Sequence, residues 1–208
     1  TGAAGVELTL ALNYALAERV RDPAPEQRFE FHLFGSTTTL LPTHNRRVQA
    51  KFQRVFAERG VQVHLGSRVV SVEQDGLCTE NGCRHGLDEI IWATEASAPA
   101  WLQDTTLDVD DRGFIRVEDT LQSVSHKAVF AAGDVASMVN HPREKAGVFA
   151  VRQGPPLAIN LRRALSGRAL RPFRPQSLFL SLISTGDQYA VASRGHWAFE
   201  GHWVWRWK

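Results

Sequence analysis

The sequence predicts an α/β protein. A glycine turn feeds an apolar helix at the start of the chain. Two strand-like runs flank an amphipathic helix between residues 28 and 65. An apolar run at 128–132 ends abruptly in Gly133-Asp134. Strand, helix and strand in that order make a βαβ unit, and open α/β sheets hold ligands beyond the carboxyl ends of their strands. Asp134 is therefore the expected ligand anchor, delivered by a buried strand, with Lys145-Ala146-Gly147 opening the helix that follows.

The 208 residues suffice for one large domain or two small ones. Hydrophobic residues make up 43% and charged residues 22%, ordinary for a globular protein. The 24 basic residues against 22 acidic ones leave a formal net charge of +2, too balanced to imply nucleic acid. No apolar run is long enough for a bilayer, and no signal peptide is visible. Two cysteines do not build a disulfide framework. A cytoplasmic setting is expected. The chain begins on Thr1 directly in helical periodicity and stops on Trp205-Arg206-Trp207-Lys208 mid-pattern, so a fragment of a longer protein is expected.

Gly2-Ala3-Ala4-Gly5 precedes Val6, Leu8, Leu10, Leu12, Leu16 and Val20, a glycine turn feeding a buried helix that should stop near Asp22-Pro23. Small residues there let backbone N–H groups approach a phosphate. Gly2 and Gly5 fit the second and third glycines of Gly-x-Gly-x-x-Gly, without the first glycine or its strand. A plain packed helix start is the equal alternative. Arg28 to Gly35 alternates as a strand, placed where a dinucleotide fold reads the ribose. Its tip, Phe34-Gly35-Ser36-Thr37, has neither the acid that suits NAD nor an arginine for a 2′-phosphate, so NAD and NADP are not separable.

Residues 43–60 form an amphipathic helix, with Val48, Phe52, Val55 and Phe56 on one stripe, Arg46, Arg47, Lys51 and Arg54 solvated, and Gly60 closing it. Residues 61–65 are the next strand. Residues 68–72 and 76–84, with a hairpin at Asn81-Gly82, form an antiparallel meander, and 88–94 reads as a further buried strand. Cys78 and Cys83 lie on hairpin arms without an electropositive pocket, so they are a structural or incidental pair. Residues 96–124 are loop-like, apart from a short strand at 114–117. A helix over 145–167 should kink or restart at Pro155-Pro156. A basic link at 168–175 leads to a hairpin turning at Ser184-Thr185-Gly186-Asp187. In the tail, Trp203, Trp205 and Trp207 would share one strand face opposite Arg206 and Lys208. That face packs on its own domain or a partner, with a membrane surface as the lesser alternative. The eight histidines are scattered and no metal site is expected; His141, next to Pro142, is the one to watch near the expected anchor site.

Gly2-Ala3-Ala4-Gly5-Val6-Glu7, Ile90-Ile91-Trp92-Ala93-Thr94, Gly113-Phe114-Ile115 and Val129-Phe130-Ala131-Ala132-Gly133-Asp134, in this order, resemble the FAD-dependent pyridine nucleotide-disulfide oxidoreductases. Lys145-Ala146-Gly147-Val148 and Val151-Arg152-Gln153-Gly154-Pro155-Pro156 narrow the resemblance to the type II NADH dehydrogenase-like branch. With the pattern of 178–208, the chain is most similar to the flavoprotein module fused ahead of selenophosphate synthetase (selenide, water dikinase).

The resemblance implies three segments. Residues 1–95 would be a Rossmann-like NAD(P)-binding domain, a βαβ unit with an antiparallel meander. Residues 96–167 would be part of an FAD-binding domain, and 168–208 a small β-rich segment. Asp134, after Gly133, would hydrogen-bond the FAD ribityl chain. The helix start at Lys145, Ala146 and Gly147 would face the flavin pyrimidine edge, where its dipole favours negative charge. Gly2, Ala3, Ala4, Gly5 and Glu7 would line the NAD(P)H site, and Thr94 would end the strand crossing between domains. The implied reaction passes hydride from NAD(P)H to flavin and electrons to a second acceptor such as a quinone.

The implied partners are an N-terminal FAD-binding half and a fused or associated selenophosphate synthetase. Two features depart from the family: Glu95 stands where glycine is usual, and no acid ends the second strand. These 208 residues alone are therefore expected to bind FAD weakly or not at all and not to turn over. The rival reading is a non-catalytic docking or regulatory module of selenophosphate synthetase. The expected setting is cytoplasmic, with peripheral contact at the inner membrane as the lesser alternative.

Overall fold

The computed structural model describes residues 1–20, 29–94 and 96–208. The helix stop at Asp22-Pro23, the strand start at Arg28 and the departure at Glu95 lie outside the described residues. The fold is mixed α/β, in two compact units: Thr1–Thr94 with Leu178–Lys208, and Glu95–Ser177. The expected third segment, 168–208, is thereby divided between the two.

In the first unit, α1 (Ala3–Arg19) buries Gly5, Val6 and Leu10. β1 (His32–Phe34) pairs in parallel with β2 (Gln62–His64), placing Phe34 beside His64. Between them, α2 (Arg46–Glu58) is the amphipathic helix that its period predicts: Val48, Phe52, Val55 and Phe56 are buried. Asn45 caps it, its Oδ1 accepting from the N–H groups of Arg47 and Val48 at 3.1 Å. Gly60, at φ +65°, ends it in the left-handed region. β3 (Val69–Glu73), β4 (Gly76–Thr79) and β5 (Arg84–Gly86) form the antiparallel meander. Cys78 and Cys83 are free thiols on it.

Residues 88–94 are not a strand. They form no ladder, and Ile91 and Trp92 are each 60% exposed. An apolar run becomes a strand only where a neighbour completes its backbone hydrogen bonds, and no described segment does so.

In the second unit, a 3-10 turn at Ala100–Asp104 precedes β6 (Ile115–Val117), which pairs in parallel with β7 (Ala136–Met138). The run ending in Gly-Asp makes only the isolated bridge Gln122↔Phe130 and bonds such as Ala131 N–H to Leu121 O. The expected strand before Asp134 is absent, and the ladder forms after the turn instead. α3 (Gly147–Leu165) passes through Pro155 and Pro156 without a restart. The two prolines withhold N–H groups from the carbonyls of Val151 and Arg152, which belong to exposed residues that water can satisfy.

Back in the first unit, β8 (Ser181–Ser184), β9 (Ala190–Arg194) and β10 (Trp197–Gly201) form an antiparallel sheet in the order β10-β9-β8. Gly186, at φ +89°, makes the expected turn. Ile183 and Val191 enter the core with Val6, Leu10, Leu33, Phe52 and Phe56, which is why this segment belongs with the first unit. The tail after residue 201 is a short helix, α4 (His202–Trp207), and not a strand. Val204 buries against Ala190 and Ala192. Trp203 and Trp207 therefore share a face that excludes Trp205, correcting the alternating arrangement.

Candidate functional site

At the start of α1, Gly2 is the N-cap, with extended backbone at φ −74° and ψ 175° and no side-chain cap. The first amides of the helix point outward without intrahelical acceptors. Ala4 is exposed, Ala3 packs on the core, and Gly5 is buried against Leu33 and Ala93. The helix start lies beside the end of β1. The Thr1 and Thr37 hydroxyls are 2.9 Å apart, Leu41 N–H donates to Thr1 O at 3.0 Å, and any side chain on Gly35 would collide with Thr1. Gly2, Ala3, Ala4 and Gly5 thus sit together where a phosphate would meet free amides. Glu7 points elsewhere: its carboxylate accepts from Ser184 N–H at 2.5 Å and pairs with Lys208. Thr94 is exposed and in no strand.

In the second unit the anchor is a tight turn. Gly133 has φ +71°, and a Cβ there would stand 3.3 Å from Ala150 Cβ. Its N–H donates to Oε1 of Gln153 at 2.5 Å, and Gln153 is buried at 4% exposure. The turn is therefore pinned to α3 by a side chain absent from the expected site residues; beside Arg152, Gln153 reads in the sequence as part of a solvated face. Asp134 is exposed. It lines a small pocket with Gly133, Lys145, Ala146 and His141.

Lys145 does not reach outward. Its Nζ donates to Ala136 O at 2.6 Å and stands 3.9 Å over the Phe114 ring. Burial holds its pKa below the usual lysine value; Asp110 and Asp134 oppose that shift, and Arg112 adds to it. Asp110 itself organises the preceding turn, accepting from Arg112 and Phe114 N–H groups. His141 lies 3.6 Å from Asp119. The N-terminus of α3 begins at Gly147 with no side-chain cap, so its first amides remain available to an anion.

The pocket measures about 30 Å³, room for water-sized groups. The residues present thus fit the polar edge of a flavin, with a carboxylate for hydroxyls and helix amides for negative charge. They do not enclose its ring.

The first unit also holds a cluster that sequence spacing hides. His32 Nδ1 and His64 Nε2 are 3.0 Å apart. The Phe34 and His64 rings stack at 4.3 Å, and His85 stands edge-on to both. Burial lowers the His64 pKa, and the charges of His32 and His85 lower it further. Among the described residues, no group of three His, Cys, Asp or Glu has metal-binding geometry.

The chain is similar in sequence and fold to several known proteins. The type II NADH:quinone oxidoreductase of Haemophilus influenzae is 28% identical over 142 residues, 66% of this chain and 32% of that protein. A probable NADH dehydrogenase of Dictyostelium discoideum is 26% identical over 142 residues, 67% of this chain and 32% of that protein. The chain spans about a third of the length of these curated relatives. The sulfide:quinone oxidoreductase of Aquifex aeolicus superposes with a TM-score of 0.73 at 15% identity, over 97% of this chain and 51% of that one. The CoADR-RHD structure of Bacillus anthracis gives 0.66 at 19% identity, over 93% and 33%. These two likenesses show the fold. The finer resemblance, to a module fused with selenophosphate synthetase, has no support among these relatives. The model of the pyridine nucleotide-disulphide oxidoreductases matches residues 1–160, and this chain belongs to that family.

Proposed function

We propose that the chain is part of an FAD-linked NAD(P)H oxidoreductase. The family is FAD- and NAD(P)H-dependent. The observation that carries the reading is the Gly133-Asp134 turn, pinned by Gln153 beside the uncapped start of α3. When bound, FAD supplies acceptance of hydride from NAD(P)H and onward transfer of electrons to a second acceptor such as a quinone.

The residues of this chain bind and orient. The Asp134 carboxylate accepts hydrogen bonds from ribityl hydroxyls. The amides opening α3 face developing negative charge. The amides of Ala3, Ala4 and Gly5 hold the pyrophosphate of NAD(P)H. Lys145, turned into the protein onto Ala136 O, fixes the approach to α3 and not the ligand.

Titration of FAD, followed by visible absorbance and flavin fluorescence, tests this for wild type and Asp134→Ala. The expected result is weak binding that the substitution weakens at least tenfold. Binding indifferent to Asp134 sinks the assignment. A second reading, a non-catalytic docking module, is supported by the pocket of about 30 Å³, too small to enclose a flavin ring. Its partner would be selenophosphate synthetase. NADH-dependent dye reduction by the protein as its gene encodes it separates the two readings.

A further inference from the structure

We propose that the dinucleotide site selects NADPH over NADH, with Arg68 holding the 2′-phosphate. The proposal rests on the NAD(P)H reading above and names the coenzyme which that site prefers. The ribose is read at the tip of β1, beside the glycine turn that opens α1. A carboxylate at such a tip accepts from the 2′-hydroxyl and repels a 2′-phosphate, which selects NADH. An arginine selects NADPH.

At this tip, packing excludes the carboxylate. A side chain on Gly35 would collide with Thr1, so no acid fits the first position after β1. The residues that follow, Ser36 to Leu41, include no charged side chain. The Thr37 hydroxyl is committed, donating to Thr39 O at 2.8 Å and lying 2.9 Å from that of Thr1. Ser36, Thr38 and Thr39 are exposed. The tip therefore offers a phosphate hydroxyl donors and no repulsion.

The cation comes from the neighbouring strand. Gly35 N–H donates to His64 O at 3.0 Å, Ser67 N–H to Gly35 O at 2.9 Å, and Gly66 N–H to Thr37 O at 2.8 Å. The chain leaving β2 is thus laced to the tip of β1, and Arg68 follows one residue beyond the last of these bonds. The arginine that is missing from the tip in sequence is supplied there by the fold. Glu80 N–H fixes its backbone, donating to Arg68 O at 2.8 Å. Its side chain is 64% exposed, with Nε 3.9 Å from the carboxylate of Glu80, itself 71% exposed. An exposed pair at that distance contributes little. A phosphate offers the planar guanidinium a stronger, two-pronged contact.

Fluorescence titration of the chain with NADPH and with NADH tests this. Calorimetry with 2′,5′-ADP and 5′-ADP isolates the 2′-phosphate, because the two differ only in where the second phosphate sits. NADPH is expected to bind roughly tenfold tighter than NADH, the worth of one charge-assisted contact, and 2′,5′-ADP tighter than 5′-ADP. Added salt should narrow both gaps. Arg68→Gln should lower NADPH affinity roughly tenfold more than NADH affinity. Ser36→Asp, which places a carboxylate on an exposed position of the tip, should turn the preference toward NADH. NADH bound as tightly as NADPH, or an Arg68→Gln variant that keeps the wild-type ratio, would overturn the proposal and leave the dinucleotide reading standing. Binding of neither coenzyme would sink that reading and the proposal with it.

Discussion

Gln153 Oε1 accepts the backbone N–H of Gly133 at 2.5 Å, tying the Gly-Asp turn to the second turn of α3. The other end of the amide meets Met138 Sδ at 3.6 Å, a weak acceptor. The side chain is thus used chiefly to hold one backbone group. Gln153→Leu keeps the volume and deletes the acceptor, leaving the Gly133 N–H poorly paired. A loss of about 1–2 kcal/mol is expected from the orphaned donor, read as a lower urea midpoint. Gly133→Ala should cost a similar amount, because φ is +71° and Ala150 crowds the new methyl group. Combined, the two should lose less than their sum, since each undoes the same turn.

The imidazole cluster predicts a dependence on pH. Burial, then the charges of His32 and His85, hold His64 below its ordinary pKa in the folded chain. The unfolded chain takes up that proton near about 6.5, while the folded chain resists it. The unfolded state therefore binds more protons over that window, and stability falls as pH drops from about 6.5 toward the folded value. Glu30, 3.9 Å from His32, is the only carboxylate near the cluster among the described ion pairs, and it is largely exposed. His64→Phe should flatten the fall in denaturation midpoint between neutral and mildly acidic pH while keeping the stack on Phe34. An unchanged pH profile would show that His64 does not couple to folding.

Glu200 acts at lower pH. Burial pushes its carboxyl upward, but hydrogen bonds from Lys51 and Arg54 outweigh that and hold the pKa below the usual glutamate value. The contribution is present above the unfolded pKa, about 4.3, and is lost as pH falls through the folded value. Glu200→Gln should cost about 1 kcal/mol at neutral pH and nearly nothing in strong acid. Thermal melts of both proteins across the acid limb should converge. A constant offset would assign the effect to packing alone.

The elements legible in the sequence were those whose signals are local. α2 declared itself through a 3.6-residue stripe closed by Gly60, and the β8–β9 turn through Thr185-Gly186-Asp187. What failed depended on neighbours. Residues 88–94 and 128–134 are apolar enough for strands, yet a strand exists only where another completes its ladder, and sequence does not state that. Trp203, Trp205 and Trp207 fit an alternating face as readily as a helix. Burial of Val204 on β9 decided for the helix. His32, His64 and His85 lie far apart in the chain. Only the register Phe34↔His64 and the meander bring them together. Gln153 was hidden because nothing in its type distinguishes a buried brace from a solvated face.

Gly2 separates the fold's needs from the ligand's. Its backbone is extended, and nothing lies within 4 Å of the position a Cβ would take. Nothing in the packing therefore requires glycine there. Gly5 resembles it, since a methyl group would meet Leu33 at an ordinary 3.6 Å. Asp is a better N-cap than Gly, and its charge suits a helix start. Gly2→Asp should therefore stabilise the chain by about 0.5 kcal/mol. The same carboxylate would occupy the amides that a pyrophosphate needs and repel it. NADH affinity, measured by fluorescence titration, should fall at least tenfold while the denaturation midpoint rises. A stabilised chain with unchanged NADH affinity would mean that the glycine turn holds no dinucleotide, and that the amides of α1 serve packing alone.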